Sequence, residues 1–204
     1  PTKKHYATLT KPHEVAGLLR AIDQYEGEHQ TRIALRVLIL TFVRPGNLRH
    51  AEWSELHSLD TPDRAEWRIP GRKMKVRTNH DFVVPLSRQS ISLLEELRQF
   101  TGRGKYLFPS PRSKTRAMSN NTINGALRRM GFSKTEMTGH GARAMARTIA
   151  HETLHFHPDV IEEQLAHGKS GPLRDSYDKT EHLVERRRLM QAWADWLDGL
   201  NPQV

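Results

Sequence analysis

Hydrophobic residues recur at helical intervals along most of the chain and switch to strand-like runs in one short stretch. In HEVAGLLRAIDQYEG (residues 13–27), Val15, Leu18, Leu19, Ile22 and Tyr25 fall three and four apart. This predicts an amphipathic helix ending near Gly27. QTRIALRVLILTFV (30–43) is apolar on nearly every face, the pattern of a buried helix. RPGNLRHAEW (44–53) places Pro45 to open a short helix. The period then changes. EWRIP (66–70) and DFVVPL (81–86) are β-type runs on either side of the basic GRKMKVRTNH (71–80), which predicts a hairpin or small sheet. SRQSISLLEELRQFTG (87–102) returns to helix, with Ser87 as its N-cap. YLFPSPRSKTRAMS (106–119), rich in Pro and Ser, reads as a loop.

Helices are predicted in NNTINGALRRMG (120–131), HGARAMARTIAHET (140–153) and PDVIEEQLAH (158–167). HGKSGPLRDSYD (167–178) reads as a loop or a short irregular helix. EHLVERRRLMQAWADWLDGL (181–200) is a final amphipathic helix, with Leu183, Met190, Trp193, Leu197 and Leu200 on one stripe. That stripe serves equally to pack within the chain or to dock on a neighbouring protomer. The fold class is mainly α with a small antiparallel β-sheet or hairpin. Residues 1–204 are expected to form one domain, since no internal repeat or low-complexity segment divides them.

Composition narrows the classes. Hydrophobic residues make up 36% of the 204 positions, low but enough for a core. No run approaches the ~18 apolar residues of a membrane span. The opening PTKKHYATLT has no apolar signal region and no initiator Met, which reads as a piece of a longer, cytoplasmic protein. The chain has no Cys, so disulfides and thiolate metal sites are excluded.

Charge changes the picture more. The net charge is +9, and its distribution is uneven. Residues 97–135 contain no acid but hold Arg98, Arg103, Lys105, Arg112, Lys114, Arg116, Arg128, Arg129 and Lys134. Residues 67–80 again hold no acid, against Arg68, Arg72, Lys73, Lys75 and Arg77. A solvated basic face usually intersperses Glu and Asp, so these stretches point to a polyanion and first to nucleic acid.

Phosphate-binding candidates lie far apart: Arg44, Lys75, His140, Arg143 and His167, followed by Tyr177. Each has an ordinary reading when taken alone. Arg44 suits a helix entry, Lys75 an exposed hairpin, His140 a helix cap, His167 a helix C-terminus and Tyr177 simple packing. HETLHFH offers His151, His155 and His157, whose i, i+4 pair would suit zinc, but no acid or Cys completes a metal motif. Ser119, Asn120 and Asn121 begin a helix, where they cap it or contact phosphate. Trp53 and Trp67 read as core residues.

Taken together, the order Arg, Lys, His-x-x-Arg, His, Tyr resembles the tyrosine recombinase family, closest to phage, prophage and genomic-island integrases. TFVRPGNLRHAEW resembles the first-arginine box, and WRIPGRKMKVRTNHDFVVPLS the β-hairpin that carries a lysine. TGHGARAMARTIAHE is similar to the His-x-x-Arg box, and IEEQLAHGKSGPLRDSYDK to the segment of the last His and nucleophilic Tyr. HLVERRRLMQAWADWLDGL looks like the terminal helix, so the resemblance covers roughly residues 10 to 200. Two positions depart from the pattern. Asn47 stands where an acid usually orients the first Arg, and Ala142 is smaller than the residue common before the second.

The resemblance implies a catalytic domain that cleaves and rejoins duplex DNA through a 3′-phosphotyrosyl intermediate, with neither metal nor other cofactor. Arg44 and Arg143 would clamp the phosphate, because a guanidinium bonds two phosphate oxygens and keeps its charge. His167 would be a further donor and Tyr177 the nucleophile. His140 would assist proton transfer, and Lys75, rather than its neighbour Lys73, would protonate the departing 5′ oxygen. Gly139 and Gly141 would let the DNA backbone approach. The implied partners are attachment-site DNA, a homotetramer on paired sites, and accessory DNA-bending or excision factors. N-terminal arm-binding and core-binding domains would lie outside residues 1–204. Two alternatives are type IB topoisomerase-like relaxation and a catalytically silent DNA-binding module.

Overall fold

The structure, a computed structural model, describes residues 7–167 and 178–200. Helix α1 (Pro12–Asp23) starts on Pro12 and buries Val15, Leu18, Leu19 and Ile22. It stops at Gln24, short of Gly27, because the chain turns there to launch α2 (His29–Thr41). α2 is apolar on most of its surface, with Arg32 and Arg36 on the remaining face, and is correspondingly central. It touches α1, then the later helices α3 (Pro45–Arg49), α4 (Arg88–Thr101), α5 (Thr122–Arg129), α6 (Gly141–Glu152) and α8 (Asp178–Leu200). Ser87 caps α4 as expected, its hydroxyl accepting the Ser90 N–H at 3.2 Å.

The alternating stretch forms a three-stranded antiparallel sheet in the order β1 (Leu56–His57), β2 (Glu66–Ile69), β3 (Phe82–Pro85). Trp67 pairs with Val84 and Ile69 with Phe82, which directs Trp67, Ile69 and Val84 into the core. The segment expected to be a loop instead contains a second hairpin, β4 (Pro109–Ser110) and β5 (Ser113–Ala117). Its residues, Ser-Lys-Thr-Arg-Ala, are polar on both faces and give no hydrophobic alternation to read. The hairpin is held at its base instead, where Met118 N donates to Phe108 O at 2.8 Å and both side chains are buried.

Helix α7 (Pro158–Gln164) packs against α6 and α8. The α8 stripe packs within the chain: Met190, Trp193 and Leu197 are buried, with Leu183 and Leu200 half-buried. Trp193 donates its indole N–H to Ile39 O at 3.0 Å and meets Phe42 edge-on at 5.5 Å. Trp67 is buried as expected. Trp53 is half-buried, with its indole N–H on Thr101 O at 3.0 Å and Arg98 over its ring. Among the described residues no helix is long and apolar enough to cross a membrane.

Candidate active site

Two non-glycine residues in left-handed backbone conformation flank one cluster of cations. Phe42 (φ 60°) ends α2, two residues before Arg44, and Ala166 (φ 51°) ends α7, one residue before His167. Such conformations are costly for residues with a Cβ and persist where the surroundings fix them. At Ala166 the turn closes as Ala166 N donates to Glu163 O at 2.8 Å and His167 N to Glu162 O at 2.9 Å. This is the helix-ending arrangement that usually uses Gly. The carbonyls released by these turns hold the arginines. Arg143, in the first turn of α6 and only 7% exposed, donates to Phe42 O and Leu165 O. Arg44, at the N-cap of α3, donates to Ala166 O at 3.3 Å.

Burial, and next the charge of Arg44, push the Arg143 guanidinium down to about 9, with Glu162 opposing; it remains a cation at neutral pH. Burial lowers Arg44 as well. Two desolvated cations this close gain by meeting an anion, which suits a phosphate and disfavours an empty site.

His167 lies between two partners. Its Nε2 is 3.0 Å from Arg143 Nη2 and its Nδ1 is 2.9 Å from Glu162 Oε2. Arg143 can only donate, so Nε2 accepts and the ring proton sits on Nδ1, toward Glu162. Glu162 also pairs with Arg147. Burial alone would raise its pKa, but the hydrogen bonds from Arg147 and His167 hold it below the usual carboxylate range. The sequence reading missed Glu162; its signal was an acid five residues before a candidate His. Tyr177, the expected nucleophile, lies outside the described residues.

His140 stands at the N-cap of α6 but does not cap it; Thr138 Oγ1 accepts the Gly141 N–H at 3.0 Å. The residue is exposed, yet partial desolvation and then Arg143, Arg44 and Lys75 lower its pKa below the ordinary imidazole value. The folded protein thus favours the neutral form of the His140 ring. The glycines beside it serve the chain itself. A Cβ on Gly141 would stand 2.0 Å from Ala7 O, and one on Gly139 would crowd Ile123 and Pro45. Thr8 Oγ1 also donates to Gly141 O at 2.8 Å, so the N-terminal segment lies against the start of α6.

The two hairpin lysines separate cleanly. Lys75 is exposed and its charge reaches His140. Lys73 turns inward and its ammonium donates to Glu52, Glu55 and His50 O. Asn47 is buried, and its amide donates to Lys73 O at 3.0 Å. Neither acid was singled out from the sequence.

The other candidates resolve locally. His157 caps α7, its Nδ1 accepting the Asp159 N–H at 3.2 Å, and among the described residues no group of three His, Asp or Glu could hold a metal. Ser119 Oγ accepts the Asn121 N–H at 3.3 Å at the start of α5. Arg112, Lys114 and Arg116 are exposed on and beside β5.

Solved structures share this fold. A lambda integrase dimer bound to a COC' core site aligns with a TM-score of 0.60 at 14% identity, over 91% of this chain and 49% of that one. XerA recombinase aligns at 0.60 and 16% identity, over 100% of this chain and 67% of that one. The described architecture is therefore the tyrosine recombinase catalytic-domain fold. Among curated proteins, the integrase of Enterobacteria phage P4 is 42% identical over 96% of this chain and 46% of its own length. Prophage integrase IntA of Escherichia coli (strain K12) is 33% identical over 96% of the chain and 45% of its own length. The chain thus spans about half the length of these relatives. Residues 8–179 match the phage integrase family, to which the chain belongs.

Proposed function

We propose that residues 1–204 are the catalytic domain of a site-specific DNA recombinase of the integrase type, acting by transesterification through Tyr177. The observation that carries this reading is the convergence of Arg44 from the start of α3, His140 and Arg143 from the start of α6 and His167 from the end of α7, with the charge of Lys75 reaching the same place. In this reading Arg44 and Arg143 bind the non-bridging oxygens as negative charge builds on them; one such donor is worth roughly 2.7–4 kcal/mol in comparable sites. His167, held by Glu162, takes its place beside them. Neutral His140 accepts the Tyr177 proton and Lys75 protonates the leaving 5′ oxygen. The linkage to Tyr177 conserves the bond, so religation requires no nucleotide.

Duplex attachment sites are the proposed substrate, with four protomers on paired sites and accessory DNA-bending or excision factors. The family membership and the DNA-bound lambda integrase neighbour support this. Arm-binding and core-binding domains are proposed for the remainder of the full-length protein. Its proposed place of action is the bacterial cytoplasm.

Covalent trapping tests the reading. Full-length protein is mixed with a nicked duplex carrying its attachment core, in chelator, and resolved on a denaturing gel. An adduct mapping to Tyr177 and absent in Tyr177→Phe is expected. No adduct would leave the silent DNA-binding module as the better account. Plasmid relaxation without strand exchange would favour the topoisomerase alternative.

A further inference from the structure

The loop between β2 and β3 carries two lysines two residues apart, and the fold treats them oppositely. Lys73 closes a tight turn over Gly71–Lys73. Its Nζ donates to Glu52 Oε1 at 2.7 Å, to His50 O at 2.9 Å and to Glu55 Oε1. An ammonium has three N–H bonds, and all three are used. Glu55 is 5% exposed, and its other carboxylate oxygen accepts the indole N–H of buried Trp67 at 2.9 Å, which fixes the cluster to the core. The main chain is gripped from the same side, where Asn47 Nδ2 donates to Lys73 O at 3.0 Å.

All of these partners except Trp67 belong to one short segment. Asn47 lies three residues after Arg44 on α3, and His50, Glu52 and Glu55 follow it directly. Beyond Lys73, Met74 packs half-buried against the core, and Thr78 N returns to Gly71 O at 3.3 Å. Lys75 therefore projects from a span of a few residues between two fixed points, and the segment that fixes one of them begins at Arg44.

We propose that Asn47 and Lys73, with Glu52 and Glu55, form a latch that sets where Lys75 stands relative to Arg44. Asn47 and Lys73 are positioning residues. The phosphodiester held by Arg44 then presents its 5′ oxygen to the Lys75 ammonium. As the P–O5′ bond breaks, Lys75 Nζ gives one proton to that oxygen, leaving a neutral amine, a 5′-hydroxyl and the phosphotyrosyl linkage. The proposal rests on the reading of Lys75 as proton donor. It also accounts for Asn47: the amide donates to a carbonyl, which a carboxylate at this position would repel.

The test replaces the 5′-bridging oxygen at the cleaved phosphate with sulfur, since a thiolate leaves without protonation. Full-length protein is trapped on nicked oxygen and sulfur duplexes. The variants are Asn47→Ala, the double change Lys73→Met with Glu55→Gln, and Lys75→Ala as reference. The double change avoids stranding a buried carboxylate. On the oxygen duplex, Asn47→Ala and the double variant should be slower by roughly 10- to 100-fold, as expected of a displaced catalytic group. Lys75→Ala should be slower by about 10²–10⁴-fold. All three should cleave the sulfur duplex at close to the unmutated rate, and Lys73→Arg should recover part of the loss on oxygen.

If Asn47→Ala and the double variant slow both duplexes alike, or slow neither, while sulfur rescues Lys75→Ala, the latch is overturned and the role of Lys75 stands. Sulfur rescue of the double variant without rescue of Lys75→Ala makes Lys73 the donor and also overturns it. No sulfur preference in any variant removes the Lys75 reading itself, and the latch with it.

Discussion

Arg143 and Lys75 are opposite ends of one site. Arg143 is buried, and its guanidinium is held in place by the Phe42 carbonyl, the Leu165 carbonyl and the His167 ring. Lys75 is exposed on a loop whose neighbours are fixed but whose own side chain is not packed. In the proposed mechanism the difference follows from what each must do. A group that stabilises charge in the transition state works best when it needs no reorganisation. A group that delivers a proton to a leaving atom must be reachable by that atom, which arrives with the DNA. The largest expected effect lies at the buried end. Arg143→Ala should lower covalent trapping by at least about 10²-fold. It should also destabilise the fold, because each carbonyl left without a donor costs about 1–3 kcal/mol. Thermal unfolding should register this as about 2–4 °C per kcal/mol. An unchanged Tm would mean that these carbonyls are satisfied without Arg143.

Lys75→Ala should separate the two quantities. Trapping on ordinary DNA should fall by about 10²–10⁴-fold, with stability held within about 0.5 kcal/mol, as for other exposed positions. If Tm falls as far as in Arg143→Ala, the loop is packed into the fold and the contrast fails.

The buried and exposed ends were not equally legible in the sequence. The helices could be read because their apolar period follows from the core they share: Val15 to Ile22, and Met190 to Leu197. The six candidate residues emerged from a family pattern, but their supports did not. Glu162 and Glu55 act through partners 5 and 18 residues away, at distances only the folded chain sets. Hairpin β4–β5 was missed because pairing and a buried base hold it, with no alternation in sequence. The glycines around His140 show a related ambiguity: a Gly announces a close approach, and within the chain it is Ala7 that approaches Gly141.

Gly141 tests that last point with a moderate effect. In Gly141→Ala the new Cβ would lie 2.0 Å from Ala7 O, a backbone atom that cannot swing aside. The expected cost is about 1–3 kcal/mol, measured by denaturant unfolding. A chain beginning at Thr10 should tolerate the change. If the truncated chain is penalised equally, the strain lies elsewhere in the α6 turn.

A smaller effect is expected from pH. His140 is held below its ordinary value of 6.5, first by desolvation and then by Arg143, Arg44 and Lys75. The folded protein thus favours the neutral ring. As pH falls below 6.5, unfolded chains take up the proton first, so stability declines between 6.5 and the lower folded value. In the proposed mechanism, cleavage follows the folded value. The kcat/KM profile should be flat at pH 7 and bend downward with a midpoint below 6.5, by up to about tenfold per pH unit. A midpoint above 6.5 would mean that the three cations do not govern this ring in the free protein. In His140→Gln the bend should vanish.

The smallest effect asks whether the strain beside the cations is used. Ala166 holds a left-handed conformation at the position where helices commonly place Gly, and its carbonyl accepts from Arg44. Ala166→Gly removes the clash of the Cβ, worth roughly 1–2 kcal/mol, and loses part of this by freeing the unfolded chain, about 0.4–1 kcal/mol. A net gain of up to about 1 kcal/mol is expected in denaturant unfolding. Cleavage should move the other way. With Cβ gone the turn samples more conformations, and the Ala166 carbonyl and the following His167 are less firmly aimed at Arg44 and Arg143. A more stable, slower enzyme would place this strain among the costs of presenting the buried end of the site. A variant that is both more stable and as fast would assign the orientation of His167 to Glu162 and that of Arg143 to the Phe42 and Leu165 carbonyls, leaving Ala166 as a tolerated imperfection of the turn.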